Sequence, residues 1–111
     1  MQKIIYKKDG KIGRITLNRP EVLNAIDQDI PKLLSDCVHK ANSDDTVHVI
    51  ILSGSGNVFC SGYDLKAFAE RTTKFSQEMP WDPMKDYQLM MENTNHFMSL
   101  WRSSRPVICK I

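Results

Sequence analysis

Val47-His48-Val49-Ile50-Ile51-Leu52 is apolar apart from His48 and rich in β-branched side chains. A run of this length and composition reads as a strand buried on both faces, and such strands sit in sheets whose faces are covered by helices. That feature alone points to an α/β architecture. Upstream, residues 3–7 and 12–17 are short β-branched segments joined by Lys8-Asp9-Gly10-Lys11, in which Asp-Gly is a strong hairpin signal. Pro20 blocks continuation of the second strand. From Asp27 the period changes: Ile26, Ile30, Leu33, Leu34, Cys37, Val38 and Ala41 recur at helical spacing. Asp27 is the expected N-cap, and Pro31 falls in the first turn, where amides lack intrahelical partners. Residues 42–45 are polar and end that helix.

After the buried run comes a Gly/Ser turn at residues 53–57, then a brief apolar stretch, Val58-Phe59-Cys60. Asp64 can cap a helix that begins at Leu65 and runs towards Arg71. Residues 72–83 are irregular and polar, with Pro80 and Pro83 as breakers. A second long amphipathic helix follows, with Tyr87, Met90, Met91, Thr94, Phe97, Met98 and Trp101 on one face. Pro106 stops it, and Val107-Ile108-Cys109 begins another strand. The expected order is ββ, α, β, α, α, β.

A chain of 111 residues has room for one small domain. A formal charge of +2, with scattered Lys and Arg, gives no basic stripe for nucleic acid, so no nucleic-acid partner is expected. Cys37, Cys60 and Cys109 are widely spaced and odd in number, which argues against a disulfide framework and for a cytoplasmic setting. His39, His48 and His96 stand apart from one another and suggest no metal site. No signal peptide is visible in residues 1–8, and no apolar stretch approaches the ~20 residues of a membrane span, so no membrane partner is expected.

Gly54-Ser55-Gly56 follows the buried strand, but a dinucleotide fingerprint would need glycine where Phe59 stands. A P-loop would need a following Gly-Lys pair with Ser or Thr, and a nucleophile elbow would need glycine two residues before Ser61, where Phe59 stands. What remains is Phe59-Cys60-Ser61-Gly62-Tyr63-Asp64-Leu65, a small-residue loop between a buried strand and a helix. Such a loop can be an ordinary strand–helix turn. It can also present the first helix amides to an anion or a carbonyl oxygen.

Three segments carry a resemblance to a known family. Ile15-Thr16-Leu17-Asn18-Arg19-Pro20-Glu21-Val22-Leu23-Asn24-Ala25 resembles the N-terminal signature of the crotonase (enoyl-CoA hydratase/isomerase) family. The stretch from Val49 through Gly54-Ser55-Gly56 to Phe59-Cys60-Ser61-Gly62-Tyr63-Asp64-Leu65 is similar to the family's first glycine-rich segment. Arg105-Pro106-Val107-Ile108 resembles the strand that precedes its second. The three stand in the right order and span essentially the whole chain. The resemblance implies a crotonase-like fold of the ClpP/crotonase type, a spiral α/β core of ββα units. Residues 1–111 would be the N-terminal portion of a single such domain, truncated before the second glycine-rich loop.

In that family an acyl-CoA thioester lies between the two glycine-rich segments, and its oxygen accepts two backbone N–H bonds that stabilise an enolate-like anion. By match, the first donor is the amide of Tyr63. Ser61 lies beside the CoA adenine, Val22, Leu23 and Ala25 line the CoA cleft, and Gly62, Asp64 and Leu65 complete the loop. Asp64 would cap the helix facing the ligand. Where the family often has alanine this chain has Tyr63, whose volume would narrow or redirect the acyl pocket. The polar stretch at 72–83, with the helix after it, is longer than in the simplest members, so acyl length does not carry over.

The second donor and the acid/base carboxylates are expected beyond Ile111, which implies a fragment. Glu70, Glu78, Asp82 and Asp86 read as solvated surface charges. The methionine-rich face of the second long helix reads as a packing face ahead of an acyl-pocket lining. The resemblance implies an acyl-CoA substrate, no separate cofactor (coenzyme A being part of the substrate), and a homo-oligomer, a trimer or hexamer in the intact protein. Two functions stay open. One is an intact lyase or isomerase acting on an enoyl-CoA, and the other a non-catalytic acyl-CoA-binding or assembly module.

Overall fold

The computed structural model describes residues 2–69 and 80–111. Strands β1 (Ile4–Asp9) and β2 (Ile12–Leu17) pair antiparallel, with Ile4 opposite Leu17 and Asp9 opposite Ile12. The expected four-residue turn is tighter than its sequence suggested. Only Gly10 and Lys11 lie between the strands, and Gly10 has φ of 61°. Positive φ at the first of two turn residues is what a two-residue hairpin with glycine in that position requires.

After a single 3-10 turn at Pro20–Val22, helix α1 (Ile30–Asn42) carries the chain back to β3 (Val49–Gly54), which lies parallel to β2. Asp27 was expected as the N-cap of α1, but that position falls to Asp29, and Asp27 fastens the helix start from two residues further back. Its Oδ1 accepts from the amides of Asp29, at 2.9 Å, and Ile30, at 3.1 Å. Helices α2 (Leu65–Ala69) and α3 (Pro83–Met98) precede β4 (Val107–Cys109), parallel to β3, which gives the sheet order β1-β2-β3-β4. Asp64 caps α2 through the Ala67 amide, at 3.1 Å. Residues 70 and 71 of the expected helix, and 72–79 of the polar stretch, lie outside the described residues.

The core lies between α1 and one face of the sheet. Ile15 and Leu17 of β2 and Ile50 and Leu52 of β3 meet Ile30, Leu34, Val38 and Ala41 of α1. Three expectations need correction. The strand expected at 47–52 begins two residues later, and only alternate residues are fully buried: Ile50 and Leu52 are, whereas Val49 and Ile51 are half-buried. The largely apolar run therefore overstates the burial of this strand, because α1 covers only the Ile50 face. Leu33, on the margin of the α1 stripe, is exposed beside Lys32 and Asp36.

The third correction concerns α3. Its buried residue is Asn93, and contact with the core is made by Phe97 and by Leu100 just past its end, while Tyr87, Met90, Met91 and Trp101 are exposed. The helix also ends at Met98, well before Pro106. Residues 99–105 are held instead by side-chain bonds to the end of α1 and the connection after it: the Ser104 amide donates to Asn42 Oδ1, at 2.7 Å, and Arg105 Nε to the Val47 carbonyl, at 2.6 Å. An apolar cavity of about 330 Å³ lies between Leu17, Leu52 and Cys109 of the sheet and Ile30, Leu34 and Phe97 of the helices. The exposed methionines of α3 do not line it.

Candidate functional site

Two loops at the ends of β2 and β3 come together. The first, residues 18–26, turns through two consecutive left-handed residues, Leu23 and Asn24, both with φ of 56°. Asparagine tolerates that region, whereas for a bulky residue such as leucine it is an outlier. Leu23 is nonetheless 54% exposed, so burial does not account for the strained backbone. Leu23 is the C-cap of the 3-10 turn, and its amide donates to the Pro20 carbonyl. Asn24 holds the turn from below. Its side chain is buried, its Oδ1 accepts the Arg19 amide at 2.8 Å, and its Nδ2 donates to the carbonyls of Ser55, at 2.9 Å, and Val58, at 2.7 Å.

The second loop runs from Gly54 to Asp64 and pairs with the first. The Ser61 amide donates to Leu23 O, at 3.1 Å, and the Ile26 amide to Gly62 O, at 2.8 Å; Asp64 N in turn donates to Ile26 O, also at 2.8 Å. This is a parallel bridge between Ile26 and Tyr63. In a parallel pair one residue exchanges bonds with the neighbours of the residue opposite. The Tyr63 N–H is therefore directed away from residues 23–26, while the Gly62 carbonyl and the Asp64 amide on either side are turned towards Ile26.

The site residues expected from sequence fall into two groups. Val22, Leu23, Ser61, Tyr63 and Leu65 are exposed along the paired loops, with Gly62 and Asp64 half-buried between them. Ala25 is buried beneath, and its carbonyl accepts from Arg19 Nη1 at 2.6 Å. Asn24 and Arg19 were not singled out from sequence. Their signal was only their membership of the Leu17-Asn18-Arg19-Pro20 and Leu23-Asn24-Ala25 motifs. The described part of α2 is five residues long, and the Asp64 carboxylate takes one of its first amides.

Charge is concentrated behind the loops. Lys3 Nζ lies 2.7 Å from Asp27 and 2.5 Å from Asp29, and Arg19 reaches both Asp27, at 3.8 Å, and Asp64, at 3.2 Å. Burial pushes the Asp27 carboxyl up, but the Lys3 ammonium, the Asp29 amide and the Arg19 guanidinium outweigh it and hold it below the ordinary range. The Ala67 amide, and then Arg19, lower Asp64 against the opposing effect of burial. Remote from the site, bonds from the Thr46 side chain and amide, with Lys8, bring Asp44 down to about 2. Folded pKa values below the unfolded ones mean stability that is fully present above about pH 4 and is lost as pH falls through the folded values. The melting temperature is therefore expected to be flat from pH 7 to about 5 and to fall progressively between about 4 and 2. Thermal melts across that series check this, and a fall already complete at pH 5 would contradict it.

Among the described residues no three His, Cys, Asp or Glu side chains gather to hold a metal, and no helix is long and apolar enough to cross a membrane.

The family model for enoyl-CoA hydratase/isomerase matches residues 7–107. The chain belongs to this family. Within it, 1,2-epoxyphenylacetyl-CoA isomerase of Escherichia coli is 29% identical over 113 aligned residues, covering 100% of this chain and 40% of that protein. A probable peroxisomal enoyl-CoA hydratase of Arabidopsis thaliana is 39% identical over 88 residues, covering 79% of this chain and 32% of its own length. The crystal structure of an enoyl-CoA hydratase from Mycobacterium smegmatis superimposes with a TM-score of 0.84 at 38% identity, over 98% of this chain and 39% of that one. An enoyl-CoA hydratase/isomerase from Xanthobacter autotrophicus gives 0.85 at 33% identity, over 99% and 38%. The crotonase-like fold holds along the chain, which spans 32–40% of the length of these four relatives.

Proposed function

We propose that the protein binds an acyl-CoA thioester across these paired loops. In the whole enzyme the Tyr63 amide would be one of two main-chain donors to the thioester oxygen, supporting hydration or isomerisation of an enoyl-CoA. Membership of the enoyl-CoA hydratase/isomerase family supports the substrate class. The observation that carries the assignment of Tyr63 is its bridge to Ile26, which turns its amide away from the first loop while its neighbours hold the loop in place. A fixed N–H is what a developing oxyanion needs, because its orientation costs nothing at the moment of reaction. The strained, exposed Leu23, with Val22 beside it, supplies apolar surface for the CoA arm, and Ser61 supplies main chain at the same edge. Such proteins would assemble as trimers or dimers of trimers.

A carboxylate in reach of the substrate carbon is also required for proton transfer. Among the described residues Asp64 is the carboxylate on this loop, and its oxygens are engaged by Ala67 and Arg19. That observation favours binding without turnover for these 111 residues by themselves. Asp82 caps α3 through the Met84 amide, at 2.9 Å, and Glu70 and Glu78 lie outside the described residues.

Hydration of crotonyl-CoA by the whole protein, with Tyr63→Ala and Tyr63→Pro, tests the reading. Tyr63→Ala keeps the donor and should leave binding largely intact. Tyr63→Pro deletes it and should lower kcat by about 100-fold or more, the usual loss for one oxyanion donor. Equal activity of the proline variant and the wild type would remove Tyr63 from the mechanism.

A further inference from the structure

We infer that Arg19 is the positioning residue of this site, a guanidinium that fixes the distance between the loop bearing Val22 and Leu23 and the loop bearing the Tyr63 amide. Its functional half rests on the acyl-thioester reading above; its structural half does not.

Arg19 makes bonds to both loops at once. Its main chain closes the first turn: its carbonyl accepts from the amides of Val22, at 3.1 Å, and Asn24, at 2.8 Å. Its side chain, 15% exposed, sends Nη1 to the Ala25 carbonyl at 2.6 Å and Nη2 to Asp64 Oδ2 at 3.2 Å. Ala25 and Asp64 flank the Ile26–Tyr63 bridge, one on each loop. The planar fork therefore spans the two loops beside the bridge, and the other Asp64 oxygen fastens the start of α2. Asp27, with Lys3 and Asp29 behind it, holds the guanidinium from the side of α1. Charge-assisted bonds to two acceptors in a fixed fork give a directional restraint that a lysine ammonium cannot reproduce in full. Three main-chain bonds between the loops, Ser61 to Leu23, Ile26 to Gly62 and Asp64 to Ile26, together with the Asn24 side chain on Ser55 and Val58, also set where the Tyr63 amide lies, and the Arg19 fork adds the charged restraint beside them.

Residue-resolved amide exchange in the wild type, Arg19→Met and Arg19→Lys tests this without ligand. Arg19→Met should speed exchange at Ser61 and Asp64 by about tenfold while Ile50 and Leu52 in β3 stay as protected as before, a local opening. Arg19→Lys, which keeps the charge and can serve one acceptor, should fall between. A rise of the same size at Ile50 and Leu52 would make Arg19 a general stabiliser, and no rise at Ser61 or Asp64 would remove it from the site; either overturns the inference. If Arg19→Met does not fold, Asp64→Asn carries the same test, since asparagine still caps a helix but loses the ion pair. Added crotonyl-CoA should protect the Tyr63 amide in the wild type and about tenfold less in Arg19→Met at equal concentration. Absence of protection in the wild type, with the ligand-free difference intact, would sink the acyl-thioester reading and leave the loop restraint standing.

Discussion

Gly54→Ala is expected to lower the melting temperature by roughly 10 °C and to loosen both loops together. A Cβ built on Gly54 would lie 2.5 Å from the Phe59 carbonyl oxygen, 2.8 Å from Asn24 Nδ2 and 2.9 Å from Phe59 Cα. Two of those three atoms are main chain, so relief cannot come from swinging a flexible side chain aside. The backbone at Phe59 must move off the end of β3, or Gly54 must leave its pairing with Leu17. Overpacking of this kind typically costs about 1–3 kcal/mol, and each kcal/mol shifts the melt of a domain near this size by about 4–8 °C. Gly62→Ala is the matched comparison. Gly62 has φ of 99° but open space where a Cβ would go, so only backbone strain of about 1–2 kcal/mol opposes it. Thermal melts of the two variants side by side check the expectation, and a Gly54→Ala melt within a degree or two of wild type would refute the close packing of the loop on β3.

The parts of this architecture that were legible in the sequence are those whose signal is periodic or local. The hairpin followed from two β-branched segments and a Gly-containing turn, and the cap at Asp64 and the bond of Asp27 to the start of α1 followed from an acidic residue placed just before a helical apolar period. The misread parts depend on what lies opposite. Val49 and Ile51 are as apolar as Ile50 and Leu52, so composition could not say that only one face of β3 meets α1. The face of α3 was misread for the same reason: Met90, Met91 and Trp101 have the spacing of a packing stripe, yet the helix rests on the core only near Phe97 and Leu100.

The site divides in a similar way. Tyr63, Ser61 and Leu23 were reached through motif likeness, and their exposure on adjoining loops agrees with a shared surface. No periodicity or propensity marks a left-handed turn with a leucine at its apex, nor the bonds that reach back from it to Ser55 and Val58. Those bonds join residues 31 and 34 positions apart. Such pairings depend on how β2 and β3 end side by side, which becomes visible only after the sheet is assembled.

The side chain that makes those bonds gives the second large effect. Asn24→Ala is expected to cost about 3–4 kcal/mol, a substantial part of the 5–15 kcal/mol that holds a small domain together. The change strands the Arg19 amide and leaves the Ser55 and Val58 carbonyls without the donor they share. Leaving buried polar groups unpaired costs about 1–3 kcal/mol each, and alanine is also less at ease than asparagine at φ of 56°. Asn24→Asp separates the electrostatic part from the rest, because it keeps size, shape and the acceptor for Arg19 N. It also puts a carboxylate oxygen against two carbonyl oxygens in a buried position. The introduced carboxyl would have its pKa raised on folding, so the aspartate variant recovers stability as pH falls through the raised folded value towards the unfolded value of about 3.9. The loss through Asp27, Asp64 and Asp44 sets in below about pH 4, is common to both proteins and cancels in the comparison. The gap between the variant and the wild type should therefore narrow from pH 7 to pH 4, whereas the deficit of Asn24→Ala should stay nearly constant. Denaturant midpoints of the three proteins at both pH values measure the two gaps, and an aspartate deficit independent of pH would show that the Nδ2 bonds do not hold the two loops together.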